Sequence, residues 1–295
     1  MECPHCKREI EKESVYCEYC GEKVKKPKWP LIGALIVAAI IILIVLIVVI
    51  VSVSSGSKAK DDYNCLFSIG NASFTMRKVE GGSFIMGASE YDYESKAWEK
   101  PAHRVTLDSY YVGETEVTQK LWKQVMGYNP SRFVCDDYPV DNVSWDECVE
   151  FCQKLSQITG RHFRLLTEAE WEFAARGGNL SKGYKFSGSN FIEDVAWSLE
   201  MSDSISHPVR QKQPNELGLY DMTGNAWEMC SDLYARYSGA SEYNPQGPTT
   251  SEKGRVRRGG GWLNRANYSR VSYRYYTPHG QRNDFLGFRL AMDCE

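Results

Sequence analysis

The chain lacks an excess of charge of either sign. Its 35 Lys and Arg stand against 38 Asp and Glu over 295 residues, a formal net charge of −3. So weak a global field argues against the electrostatic attraction on which nucleic-acid binding depends, and no nucleic-acid partner is expected. Histidine is scarce too. The five are His5, His103, His162, His207 and His279, each standing apart from the others. A lone histidine is weak ground for a metal or general-base centre, and His103 reads as a packing residue. Cysteine, by contrast, is unevenly spent. Of ten, four sit in the first twenty residues and the other six run from Cys65 to Cys294.

Cys3-Pro-His-Cys6 and Cys17-Glu-Tyr-Cys20 form a paired CxxC pattern, the second followed by Gly21, which permits a tight knuckle turn. Four thiolates at this spacing match a tetrahedral, structural zinc site with no open position for catalysis. Residues 1–27 are therefore read as a zinc ribbon held by Cys3, Cys6, Cys17 and Cys20. So short a stretch cannot build a core, so the metal would supply the folding energy.

Leu31 to Val51 is an uninterrupted apolar run without charge. At ~1.5 Å per residue it matches the ~30 Å hydrocarbon core, which predicts a single transmembrane helix over 29–53. Lys23, Lys25, Lys26 and Lys28 precede it, whereas Lys58 and Lys60 beyond it are diluted by Asp61 and Asp62. That bias predicts a single-pass protein of the cell membrane, with a cytoplasmic N-terminus and an extracytoplasmic C-terminal domain. Residues 54–72 read as a linker.

From 73 to 295 the local patterns predict an irregular α+β domain. Ser144-Trp-Asp-Glu147 and Thr167-Glu-Ala-Glu170 are capping boxes. Behind the first, Cys148, Phe151, Cys152, Leu155 and Ile158 share one helical face; behind the second, Trp171, Ala174 and Ala175 do. Thr118 caps a third helix carrying Leu121, Trp122, Val125 and Met126, stopped at Gly127. Short β-rich pieces and Gly/Asn/Pro loops lie between.

A series of motifs then occurs in a set order: Val79-Glu-Gly-Gly-Ser-Phe-Ile-Met-Gly87, Pro101-Ala-His103-Arg-Val105, Tyr111-Val-Gly-Glu-Thr-Glu116, Pro139-Val-Asp-Asn-Val-Ser144, Arg164-Leu-Leu-Thr167, Asp221-Met-Thr-Gly224-Asn-Ala226-Trp-Glu228, Arg258-Gly-Gly-Gly-Trp-Leu-Asn264 and Leu286-Gly-Phe-Arg-Leu290. Together they resemble the formylglycine-generating enzymes, the sulfatase-modifying factor family, over nearly all of 73–295. The resemblance implies a C-type-lectin-like fold. It also implies that catalysis takes place at two cysteines, five positions apart, that follow a Gly-Gly-Ser and bind copper(I). Here those positions hold Asn264 and Ser269, and the serine position holds Gly261. Hard oxygen and nitrogen atoms do not select that soft ion, so copper is not expected and no catalytic residue is assigned. The resemblance further implies a structural calcium loop, with side-chain oxygens from Asp221 and Glu228 and carbonyls from Gly224 and Ala226. At the family's other calcium site, Val195-Ala196-Trp197 has no side-chain oxygen to offer.

The segment from Leu263 to Leu286 is rich in Tyr, Asn and Arg, a composition suited to adaptable binding surfaces. It resembles the variable proteins of diversity-generating retroelements, which diversify this segment on the same fold. Asn264, Asn267, Tyr268, Tyr273, Tyr275, Tyr276 and His279 are the candidate ligand contacts. The expected function is thus a non-catalytic domain that binds or scaffolds an extracytoplasmic protein or ligand. The alternative is a divergent sulfatase-modifying oxidoreductase acting on a protein cysteine. Six cysteines admit many pairings; Cys65 with Cys294 would staple the domain's ends, and all six can equally be free thiols.

Overall fold

Three hydroxyl side chains start the main helices of the large unit. In the computed structural model, which describes residues 1–24 and 64–294, Thr118 caps α1 (Gln119–Met126) by accepting from the Leu121 amide, and Gly127 ends it at φ 84°. Ser144 caps α2 (Trp145–Thr159), accepting from the Glu147 amide while Glu147 accepts from the Ser144 amide at 2.8 Å. Thr167 and Glu170 make the same reciprocal box at α3 (Glu168–Ala175). Each pair satisfies amides that helix geometry leaves without partners. A fourth, short helix is α4 (Ile192–Val195).

Cys148, Phe151, Cys152 and Leu155 of α2 are buried as their spacing predicts, but Ile158 is 53% exposed. It lies in the last turn, beyond the packed face. The α3 helix departs further from a one-sided pattern: every one of its residues is buried, Glu168, Glu170 and Glu172 included. These carboxylates need partners inside the protein.

Among the described residues twelve strands, numbered in chain order, make three sheets. The first is antiparallel and runs β1 (Asn64–Ile69), β2 (Ala72–Val79), β5 (Tyr110–Gly113), β12 (Leu290–Asp293), β6 (Phe163–Leu165). The second runs β3 (Gly82–Met86), β4 (His103–Leu107), β8 (Glu242–Tyr243). The third runs β10 (Arg274–Thr277), β9 (Arg255–Arg258), β7 (Trp227–Leu233), β11 (Leu286–Phe288). In this last sheet Met229, Arg257 and Tyr275 are opposite one another, as are Glu228, Arg258 and Arg274. Because side chains alternate along a strand, the two sets point to opposite faces. The core between α1, α2 and the sheets is aromatic: Trp122 stacks on Phe151 at 5.2 Å, and Phe288 meets both edge-on. The unit is thus mixed α/β and mostly sheet.

Several expectations need correction. Strand β1 lies within the stretch read as a linker. Cys65, Phe67 and Ile69 alternate with exposed Leu66 and Ser68 and pack against the core, a strand signal hidden in a polar neighbourhood. All ten cysteines are free, so the Cys65–Cys294 staple is not formed. The single-pass membrane topology is also withdrawn. Among the described residues no helix is long and apolar enough to cross a membrane, and the Leu31–Val51 run lies outside them.

The N-terminal unit is built around its cysteines. Its two CxxC turns repeat one geometry: the Lys7 amide donates to Cys3 O at 2.9 Å, and the Gly21 amide to Cys17 O at 2.8 Å. Cys3, Ile10, Cys17 and Val24 are its buried residues.

Candidate functional site

The segment expected to bind ligands is held from beneath by buried ion pairs. Arg270 makes two bonds to Glu99, at 2.7 and 2.8 Å. Arg274 grips Glu168 with Nε at 2.7 Å and Nη2 at 2.5 Å. Arg258 pairs with Glu172, reaches Glu168 at 3.1 Å, and donates to the carbonyls of Val271 and Tyr273. Each of these arginines is almost fully buried. Bidentate contact to α3 and to Glu99 sets the path of residues 270–274 with little freedom left.

On this frame the candidate residues do not form one patch. Tyr273 is 2% exposed and belongs to the core, packed against Trp227, Trp98 and Tyr268. It is not a ligand contact, and burial raises its hydroxyl above the ordinary tyrosine range. Tyr268 is exposed and meets Tyr273 edge-on at 5.2 Å. Tyr275 is half-buried and lies near Trp98; Tyr276 stacks on Tyr275 and turns toward Tyr234. Asn267 is half-buried, its Oδ1 without a partner. His279 is exposed, with its ring Nε2 3.4 Å from the Ser251 carbonyl. Asn264 thus meets Trp227, Tyr275 meets Trp98, and Tyr268 joins them only through the buried Tyr273; Tyr276 continues from Tyr275 toward Tyr234.

Asn264 and Ser269, at the two expected cysteine positions, hold no thiol. Asn264 Oδ1 accepts from Trp227 Nε1 at 2.6 Å and from the Gly261 amide at 3.1 Å. Ser269 is wholly buried and its hydroxyl has no partner. It lies against Gly260, where an added Cβ would come within 2.1 Å of its oxygen. Cys230 does not replace the missing thiols, because complete burial pushes its pKa well up and keeps it protonated.

One residue that sequence reasoning passed over belongs here. Arg257 lies over the rings of Trp227 at 4.7 Å, Tyr275 at 5.2 Å and Phe285 at 5.7 Å. Strand alternation in Arg255-Val-Arg-Arg258 would have separated Arg257 from buried Arg258.

The expected calcium residues lie in a buried acidic knot. Asp221 is 2% exposed; its Oδ2 accepts from the Arg210 amide at 2.8 Å and its Oδ1 has no partner. Burial, with help from the Glu228 charge, pushes it up to about 6. Burial and the charges of Asp221 and Glu228 raise Glu116 further. Glu228, however, is committed: Arg289 reaches both of its oxygens, at 2.8 and 3.0 Å, and Trp171 Nε1 takes Oε2 at 2.7 Å. A hard cation would fit the surplus negative charge and the unused Asp221 oxygen, but Glu228 has no oxygen to spare in this arrangement.

In the N-terminal unit the four cysteine sulfurs all lie within 4.8 Å of one another. Cys3 and Cys20 are 3.7 Å apart, Cys6 and Cys17 3.6 Å. Zinc–sulfur bonds of about 2.3 Å set tetrahedral edges of roughly 3.8 Å, so the arrangement is compatible with zinc. A bond from the Cys6 backbone, partly offset by burial, draws the Cys3 thiol down to about 6.

Residues 71–294 match the family described as sulfatase-modifying factor enzyme 1-like domain. A chaperone protein, LppX, of Paenibacillus barcinonensis is 31% identical over 245 residues, covering 66% of this chain and 81% of that one. The formylglycine-generating enzyme of Mus musculus is 34% identical over 192 residues, covering 58% of this chain and 49% of that protein, so the chain spans about half its length. Among solved structures, Treponema denticola variable protein 1 is 33% identical with a TM-score of 0.72, covering 78% of this chain and 99% of that one. PvdO from Pseudomonas aeruginosa is 25% identical with a TM-score of 0.68, covering 78% and 98%.

Proposed function

Since this chain belongs to the sulfatase-modifying factor enzyme 1-like family, we propose that its large unit is a binding domain that does not oxidise cysteine. The observation that carries this is the pair Asn264 and Ser269: one side chain is closed onto Trp227 and Gly261, the other is buried, and neither is a thiol. The relative called a chaperone protein and the solved structure called a variable protein favour binding over chemistry. The ligand face centres on Asn264, Tyr268 and Tyr275, over the buried Trp227, and the segment is suited to diversification. A sulfatase-type peptide cysteine, offered to the full chain with copper(I) and oxygen, is expected to stay unmodified by mass spectrometry. Peptide-display selection against the same chain is expected to yield ligands whose binding is lost in Tyr268→Ala and Tyr275→Ala, with the fold retained. Formylglycine in the peptide would overturn this reading in favour of a divergent oxidoreductase.

The two metal readings are part of the proposal. Zinc, held by Cys3, Cys6, Cys17 and Cys20, is structural, since four thiolates leave no open position. Calcium would draw on Asp221 and the carbonyls of Gly224 and Ala226, with Glu228 helping only if it releases Arg289. It would offset the buried negative charge of Glu116, Asp221 and Glu228. Chelation with EGTA is expected to lower the melting temperature of the large unit by several degrees, and Asp221→Ala to remove that sensitivity. A melting curve indifferent to chelator would mean that the loop is a turn without metal.

A further inference from the structure

Among the described residues, the almost fully buried arginines of the large unit follow one rule. Arg258, Arg270, Arg274 and Arg289 are each bound to a carboxylate. Arg257 is half-buried, yet among the described residues it has no ion pair and no side-chain hydrogen bond, and its Nε is buried without a partner. Burial draws its pKa below the ordinary arginine value. Three rings give it cation–π contact. Such contact satisfies the face of a guanidinium but not its N–H groups, which lie in its plane. A half-buried cation with unused donors is a cost to the fold unless something else offsets it.

The position of this cation gives it a use. Arg257 shares a sheet face with Tyr275, across the strand pair, and lies on the indole of Trp227. That indole is the group bonded to Asn264. The free charge is thus part of the face assigned above to ligand binding. A guanidinium stacked on rings keeps its edge available, and that edge matches two carboxylate oxygens. The half-buried rings of Tyr275 and Phe285 offer apolar contact beside it.

We propose that Arg257 is the anion-recognising residue of this face, and that its ligand is a carboxylate carried next to an apolar group. The inference rests on the binding reading and sharpens it by naming the ligand chemistry. A peptide C-terminus and a small organic acid both present that group.

The test uses the full chain, followed by calorimetry and thermal melting at fixed ionic strength. The probes are N-acetylphenylalanine, its uncharged amide, and a short peptide ending in phenylalanine with a free carboxylate. The acids are expected to bind saturably and raise the melting temperature, and the amide to do neither. Arg257→Gln is expected to weaken binding at least tenfold. Arg257→Leu is expected to abolish it while raising the ligand-free melting temperature by a few degrees, because an uncompensated charge has been removed. Arg257→Lys keeps the charge without the fork and is expected to fall between. Tighter binding of the peptide than of the acetyl amino acid would identify a peptide C-terminus; equal binding would identify a small acid. Equal shifts from acid and amide, or undiminished acid binding in Arg257→Leu, would overturn the proposal. Display-selected ligands that need Tyr268 but not Arg257 would sink this inference and leave the binding reading standing. Ligands that need neither would remove both.

Discussion

Removing zinc is expected to erase the structure of residues 1–24 altogether. The unit's buried residues are Cys3, Ile10, Cys17 and Val24, two of them proposed ligands. So little apolar surface cannot offset the entropy of ordering the chain. Structural zinc contributes about 10–16 kcal/mol in such peptides, far more than that core can supply. Two of its thiols, Cys3 and Cys20, also shift in opposite directions. Cys20 is pushed up to about 12 by burial and its thiol neighbours, although a bond to the Glu22 backbone lowers it. Cys3 lies near 6. Four thiolates so close are stable together only around a cation. A strong chelator should therefore collapse the amide dispersion of residues 1–24 in an NMR spectrum and leave the large unit's signals in place. Cys6→Ala should do the same without chelator. Dispersion that survives chelation would show that the sulfur cluster is not a metal site.

The second large effect is expected at Glu172. Its Oε1 accepts from the Gly87 amide at 2.8 Å and from Arg176 at 2.7 and 2.9 Å, and its Oε2 is bound to Arg258. Glu172→Gln would leave Arg258 dependent on Glu168, whose two oxygens already accept from Arg274. Breaking one partner out of a buried pair costs about 3–5 kcal/mol. For a unit of this size that is a fall in melting temperature of roughly ten degrees. The pH dependence follows from the same contacts. Burial alone would raise the Glu172 carboxyl, yet Arg176 and Arg258 hold it below the usual carboxylate range. A depressed folded value means that its stabilisation is present above the unfolded pKa of about 4.3 and is lost as pH falls through the folded value. Denaturant titrations should show the variant losing stability at neutral pH and losing less of it on acidification. A variant within about 0.5 kcal/mol of wild type, the usual range for surface substitutions, would mean that this pair does not hold the segment.

The elements read correctly from the sequence are those whose signals are local. Thr118, Ser144 and Thr167 lie within three residues of the groups they satisfy, so the helix starts were legible. The total burial of α3 was not, because Glu168 and Glu172 look like solvent residues until Arg258 and Arg274, some ninety to a hundred positions on, are folded against them. Asn264 and Ser269 were found by motif position alone. Tyr273 precedes β10 and packs beneath Tyr268 against two indoles, and composition does not distinguish such a core tyrosine from an exposed one. Arg257 was missed for a related reason: what matters about it is the partner it does not have, and only the assembled sheet reveals that.

The ion pairs under residues 258–274 also separate two kinds of change. Arg258, Arg270 and Arg274 fix the backbone from below, while Leu263, Arg265 and Tyr268 face solvent above it. A substitution at the upper positions changes the exposed surface without loosening what holds it in place. The fold can therefore try many surfaces at almost constant stability, and a failed surface need not be a failed protein.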